Sequence, residues 1–171
     1  MRRTDRFPVP GLIAVAEAVG WNAMASTYLS KISDRIIVCP MTSPGRGHYM
    51  EADASIVTSF DSDSAVIGQA VWEALLLFRS APNLGSPKKR DWPAYRASGA
   101  KSVRAFEDQF VRVSVEAFPC VLRLEAVVLC RAANELFVGG FISNACEFNE
   151  LGALIYQVSR SAIYVMEQEF G

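Results

Sequence analysis

The hydrophobic positions of the chain follow two periods, one typical of half-buried strands and one of amphipathic helices. The strand-like runs are residues 26–30, 35–41, 54–58, 110–117, 121–130 and 136–142. The run 110–117 alternates most regularly, with Val111, Val113 and Val115 on one face and polar residues on the other. The pattern therefore predicts about six strands, several of them joined by short turns.

Two segments, 63–79 and 149–168, show the helical period instead. The apolar residues that share one face of the first segment are Ile67, Val71, Ala74, Leu75 and Phe78, and those of the second are Leu151, Leu154, Ile155, Val158, Ala162 and Val165. Each segment opens with residues that cap helices: Asp61, Ser62 and Asp63 for the first, and Glu147, Asn149 and Glu150 for the second. Capping explains these carboxylates without any catalytic role.

The two halves of the chain resemble each other at a constant offset. Ile67-Gly68 matches Leu151-Gly152, and the strand-like runs fall at comparable distances before each helix. The pattern predicts an α+β fold: a mainly antiparallel sheet of about six strands with two main helices packed on it, built as a duplicated βββα unit. The pseudo-repeats span about 26–79 and 110–168, with a linker at 80–102. Chance similarity of two amphipathic helices is the alternative.

A glycine inside a helix costs about 1 kcal/mol relative to alanine, so the matched pair needs a packing reason. We expect Gly68 and Gly152 to let each helix lie close to the sheet.

Composition restricts the class of protein. A chain of 171 residues that is 51% hydrophobic and 20% charged is neither disordered nor fibrous, and it fits one domain. The net charge of −1 gives no reason to predict a nucleic-acid or polybasic membrane binder. The longest uncharged stretch, 18–30, is shorter than the roughly 20 residues that a membrane-spanning helix needs.

Residues 1–25 are set apart as an N-terminal arm or short helix before a single domain at 26–171. Basic residues, an apolar stretch and Ala23-Met24-Ala25 imitate a secretory signal, but Pro8, Pro10 and Glu17 interrupt the apolar part. Four apolar residues at helical spacing favour an amphipathic helix instead: Leu12, Val15, Ala16 and Val19. A leader, or an extension outside the core fold, is the alternative.

The cysteines do not form a metal-binding pattern. Cys39, Cys120, Cys130 and Cys146 contain no CxxC pair, and His48 is the single histidine. We expect reduced thiols in a cytoplasmic protein, no metal and no cofactor, while a disulfide between two of them stays open.

Candidate catalytic residues lack their companions. His48 has no GxSxG motif to accompany it, and Ser98 with Lys101 satisfies S-x-x-K without the other elements of penicillin-recognising enzymes. Residues 99–102 also fail the spacing of a phosphate loop, whereas Ser102 can cap a short helix through Phe106. We predict no catalytic residues; a small hydrolase or transferase using His48 or Ser98 is the alternative.

The segment 80–102 combines cations with aromatic residues. Lys88, Lys89 and Arg90 stand beside Trp92 and Tyr95, a mixture that can bind phosphates and stack bases. Three cations are few, so we expect a solvated loop whose aromatic residues anchor on the core, with nucleic-acid binding as a further alternative.

The order of these features resembles the immunity proteins of bacterial contact-dependent growth inhibition systems, from about Ser26 to the end of the chain. The pieces that carry the resemblance are Gly47-His48-Tyr49, Ile67-Gly68, Trp92-Pro93-Ala94-Tyr95, Gly99-Ala100-Lys101-Ser102, Phe106-Glu107 and Asn149-Glu150-Leu151-Gly152. The resemblance implies a cytoplasmic protein that occludes the toxic C-terminal domain of a cognate effector, often a nuclease, and that catalyses no reaction. It implies neither a nucleic acid nor a membrane as a binding partner.

An inhibitor of a basic nuclease should present acidic side chains, because complementary charge speeds and orients association. Two acidic groups are available. The candidate partner-binding residues are Glu51, Asp53, Asp61, Asp63, Glu147 and Glu150, with Glu167 and Glu169 near the end of the chain.

Overall fold

The structure is a computed structural model that describes residues 23–45, 48–80, 91–128 and 135–170. The strands are β1 Met24–Ser30, β2 Arg35–Gly45, β3 His48–Glu51, β4 Ile56–Ser59, β5 Arg79–Ser80, β6 Phe110–Ala117, β7 Val121–Val128 and β8 Leu136–Ser143. The helices are α1 Ser64–Leu76, α2 Pro93–Ser98, α3 Val103–Gln109 and α4 Phe148–Phe170. The predicted α+β class is confirmed.

The strands form one sheet with the order β3-β2-β1-β6-β7-β8. Every neighbour on this path is antiparallel, with the first strands of the two halves, β1 and β6, paired at the centre. Strand β4 pairs antiparallel with the first half of β2, and the two-residue β5 pairs parallel with its second half. Strand β3 was not predicted, because the Pro and Gly residues after Met41 indicate a loop, whereas β2 continues to Gly45. Strand β5 was not predicted either, because the helical pattern of the sequence extends to residue 79, whereas α1 ends at Leu76.

Helices α1 and α4 cover one face of the sheet and form the main core with it. The alternation of β6 places Val111, Val113 and Val115 in this core, as predicted. Leu151 and Ile155 of α4 are fully buried against the same face. Burial of these apolar side chains, at roughly 25 cal/mol per Å², is the main stabilising contribution.

Gly68 and Gly152 lie between the two helices, so the expectation that they bring each helix close to the sheet is wrong. A Cβ atom on Gly68 would lie 1.9 Å from the carbonyl oxygen of Phe148, and one on Gly152 would lie 1.9 Å from that of Ser64. Because neither position has room for a methyl group, the backbones of α1 and α4 touch. The contact is reciprocal and joins the first two turns of one helix to those of the other.

Two segments differ from their predicted form. Strand β1 begins at Met24, and Ala23 and Ala25, part of the signal-like triplet, are fully buried. Within the predicted linker 80–102, Pro93–Ser98 is helical, with a proline in its first turn and Gly99 at a φ of 72° after its end.

The predicted N-terminal helix and Lys88, Lys89 and Arg90 lie outside the described residues. Within the described ranges, no helix has the length and apolar character needed to cross a membrane.

Candidate partner-binding surface

Helix α2 is held at both ends by side chains from the sheet. A six-residue helix is unstable alone, and Trp92 at its N-cap makes no side-chain capping bond. Glu51 of β3 supplies the cap, because its Oε2 accepts a hydrogen bond from the Ala94 N–H at 2.8 Å. At the other end, the Arg35 guanidinium donates to the carbonyl oxygen of Ser98 at 2.5 Å. The sheet therefore fixes where α2 lies.

An aromatic cluster lies beneath α2 and α3, on the sheet face opposite α1 and α4. The ring of Phe106 packs against Tyr28, Tyr95 and Phe110, with centroids 5.1 to 6.1 Å apart. The Tyr28 hydroxyl donates to the second carboxylate oxygen of Glu51. Burial raises the pKa of Tyr28 well above its usual value. This cluster anchors Tyr95 on the core, as expected. It covers β1 and β2 on the sheet face opposite α1 and α4.

Burial also raises the pKa of the Cys39 thiol, which lies in the same cluster, and the nearby Glu51 carboxylate raises it further. A thiol in this environment stays protonated and is a poor nucleophile or metal ligand. Within the described ranges, no three His, Cys, Asp or Glu side chains converge as a metal site would require.

The hydroxyl of Ser98 is occupied by local hydrogen bonds. It donates to the Tyr95 carbonyl at 2.7 Å and accepts from the Ala100 N–H at 3.0 Å. Ser102 caps α3 as predicted, accepting from the Ala105 N–H at 3.1 Å, and Lys101 is exposed. The S-x-x-K residues thus end one helix and begin the next. The side chain of His48 lies outside the described residues.

Four of the predicted acids come together where α1 and α4 cross. Asp61 and Asp63 precede the first turn of α1, Glu147 and Glu150 flank the start of α4, and all four are exposed. Asp63 caps α1 through the Ala65 N–H at 3.1 Å. The close approach of α1 and α4 at Gly68 and Gly152 places the two pairs of acids on one side of the molecule. We call these four residues the acidic face. The carboxylates also stabilise the positive ends of two adjacent helices.

The other two predicted acids lie apart from the acidic face. Both oxygens of Glu51 bind inside the protein, at Ala94 and Tyr28. Asp53 forms an exposed ion pair with Arg96 of α2. These two residues therefore position α2, while Glu167 is exposed near the end of α4 and the side chain of Glu169 lies outside the described residues.

Among the described residues, no helix covers the outer side of β6, β7 and β8, and we call this surface the open sheet face. Arg123 lies between Glu116, which it contacts at 2.5 Å, and Phe141 on β8. Phe137 lies opposite Val127, and both are exposed. This surface was not predicted from the sequence. The available signal was the placement of two phenylalanines, at positions 137 and 141, on the same face of a strand that has no charged residue.

A groove of about 1580 Å³ adjoins α2 and reaches the open sheet face. Its lining includes Tyr28, Glu51, Arg96, Arg112 and Val127, and does not include Ser98. Small-molecule sites are usually about 300–1,000 Å³ and enclosed.

Comparison with known proteins identifies similar folds. No protein-family model and no curated protein matches the sequence. A protein of unknown function from Neisseria meningitidis is similar in structure, with a TM-score of 0.64 and 16% identity over 84% of this chain and 96% of that one. A chain of the CdiA-CT/CdiI toxin and immunity complex from Yersinia pseudotuberculosis is also similar, with a TM-score of 0.58 and 15% identity over 82% of this chain and 97% of that one. At these identities the likeness establishes a shared fold.

Proposed function

We propose that this chain is a cytoplasmic immunity protein that binds and neutralises the toxin domain of a contact-dependent growth inhibition system. The observation that carries the proposal is the shared fold, over 82% of the chain, with a chain of a toxin and immunity complex. The motif order that resembles immunity proteins, from Gly47-His48-Tyr49 to Asn149-Glu150-Leu151-Gly152, also supports it. The protein acts by occlusion and performs no catalysis.

The acidic face is the proposed contact for the toxin. A nuclease toxin binds a polyanion, so its active-site surface is basic, and Asp61, Asp63, Glu147 and Glu150 offer the opposite charge. Interfaces also need an apolar anchor. Phe148 at the start of α4 is 38% exposed beside these acids, and its ring lies 6.3 Å from that of Trp72. Charge would orient the toxin and the aromatic side chain would hold it.

Measurement of association with the toxin domain encoded beside this gene tests the proposal. We expect a stable complex that abolishes toxin activity. In the variant D61N/D63N/E147Q/E150Q we expect association to slow about tenfold at low salt and to lose most of its salt dependence. Asparagine at position 63 retains the helix cap, so the loss of charge is separated from loss of stability.

A control variant matches the change in net charge elsewhere on the surface. D34N/E73Q/D108N/E135Q neutralises four exposed acids that belong to neither of the predicted acidic groups. It should associate at nearly the wild-type rate. Equal slowing in both variants would show that only net charge matters, and no complex with the wild-type chain would exclude the immunity function itself.

The alternative, a small hydrolase or transferase, has no support from the geometry of Ser98. Its hydroxyl binds Tyr95 and Ala100, and the groove does not reach it. The alternative at His48 stays open, because its side chain lies outside the described residues.

A further inference from the structure

Strand β8 ends the sheet with an uncharged edge. Within the described ranges it pairs with β7 alone, in an unbroken register from Val121 opposite Ser143 to Val128 opposite Leu136. Its eight residues include no charge and no proline. Natural sheets protect such edges with charged residues, prolines, bulges or very short strands. None of these devices is present on β8, so its edge can pair with another strand.

The opposite edge of the sheet is different. It consists of β3 and β4, which are four residues each, and β3 carries Glu51. Short and partly charged strands discourage pairing. The contrast singles out β8 as the edge available for association.

The side chains of β8 are complementary to themselves. Phe137 is 57% exposed and Phe141 is 70% exposed, and they lie symmetrically about Gly139 on the open sheet face. In an antiparallel pair around a two-fold axis at Gly139, each Phe137 would lie opposite the Phe141 of the other copy. Directly opposite aromatic residues stabilise strand pairs, and the strand contributes no like charges that would repel.

We propose that two copies of this protein associate through β8, forming one continuous sheet across a two-fold axis at Gly139. The inference is independent of the immunity function. The interface is isologous, so the same strand serves both copies. Two copies each of Phe137 and Phe141, 57% and 70% exposed at about 200 Å² per side chain, supply at most about 500 Å², below the roughly 1,200 Å² of a stable interface. The dimer is therefore reversible and forms as concentration rises.

Sedimentation equilibrium over a wide range of concentration tests the association. We expect the wild-type chain to shift from monomer to dimer, and Phe141→Lys to remain monomeric because Phe137 loses its aromatic partner and a charged lysine on an edge strand opposes pairing. Tyr164→Lys is the matched control, since Tyr164 is 62% exposed on α4, away from β8. Circular dichroism confirms that both variants retain the fold.

Disulfide cross-linking tests the register. With Cys120, Cys130 and Cys146 replaced by serine, the double variant Glu135→Cys/Ser143→Cys should form a cross-linked dimer under mild oxidation, because opposite Cα atoms lie about 4.5–5.5 Å apart, within disulfide range. Ser143→Cys alone should not, since the two copies of this residue would be about 27 Å apart.

Each contrary result overturns the proposal. A wild-type chain that stays monomeric at every concentration excludes the dimer, and equal cross-linking in the single and double variants excludes the register. If the chain is monomeric and Phe141→Lys instead abolishes binding of the toxin domain, β8 belongs to the toxin interface and the self-association is wrong.

Discussion

The contact between α1 and α4 at two glycines gives a sharp prediction for Gly68→Ala and Gly152→Ala. In each variant the new methyl group would lie 1.9 Å from a backbone carbonyl oxygen, whereas ordinary contact begins at 3.4 Å. The two helices must move apart locally to make up this difference, because a backbone atom cannot rotate away as a side chain can. The separation loosens the apolar contacts of both helices with the sheet.

The size of the effect follows from two opposing contributions. Alanine is favoured over glycine in a helix by about 1 kcal/mol, and overpacking of a well-packed interior costs about 1–3 kcal/mol or more. Because backbone is displaced, we expect the upper part of that range and a net loss of about 2 kcal/mol per variant. For a chain of this size that corresponds to a fall in Tm of about 4–8 °C.

Urea unfolding monitored by circular dichroism measures the change in the free energy of unfolding. Ala153→Gly, on the exposed side of the same turn of α4, is the control and should cost only the helix propensity of about 1 kcal/mol. The double variant G68A/G152A should cost less than the sum of the single variants, because one separation relieves both contacts. An increase in stability of about 1 kcal/mol in either single variant, the result for an exposed helical glycine, would refute the close contact.

Three further predictions concern the α2 side of the sheet. Glu51→Ala should lower the free energy of unfolding by about 1–3 kcal/mol and speed amide exchange in α2, because Ala94 and Tyr28 lose their acceptor; unchanged exchange in α2 would contradict its role as the cap. A thiol reagent at pH 8 should modify the exposed Cys120 at once and Cys39 only on unfolding, as measured by mass spectrometry; rapid labelling of Cys39 would show that the aromatic cluster is open. Folding raises the pKa values of Cys39 and Tyr28, so their stabilisation is complete below the ordinary values of 9.0 and 10.0 and is lost as pH rises above them. Thermal unfolding should therefore show Tm falling in alkaline solution, with a shallower slope in Cys39→Ala, and equal slopes in the two proteins would count against the burial of this thiol.

The main elements could be predicted from the sequence because their periods are strong. The alternation of β6 and the apolar stripe of α4 are visible in short stretches of sequence, and the apolar side of each is the side that is buried. Val113 and Ile155 are examples. Ser102 and Asp63 were also predictable, since a capping side chain acts within its own turn.

The remaining features depend on tertiary contacts that no local pattern encodes. The role of Gly68 required knowing that α4 crosses α1 at that turn. The role of Glu51 required the approach of α2, whose Ala94 is far from it in the sequence. For the same reason the grouping of Asp61 and Asp63 with Glu147 and Glu150 emerges only from the fold, while the open sheet face depends on where α2 and α3 end.

The most direct test of the immunity function is a growth assay with the neighbouring toxin domain. Cells that express the toxin domain should stop growing, and co-expression of this chain should restore growth and yield a complex of the two proteins on purification. Continued growth arrest with both proteins expressed and folded, together with failure to form a complex, would contradict the proposed function.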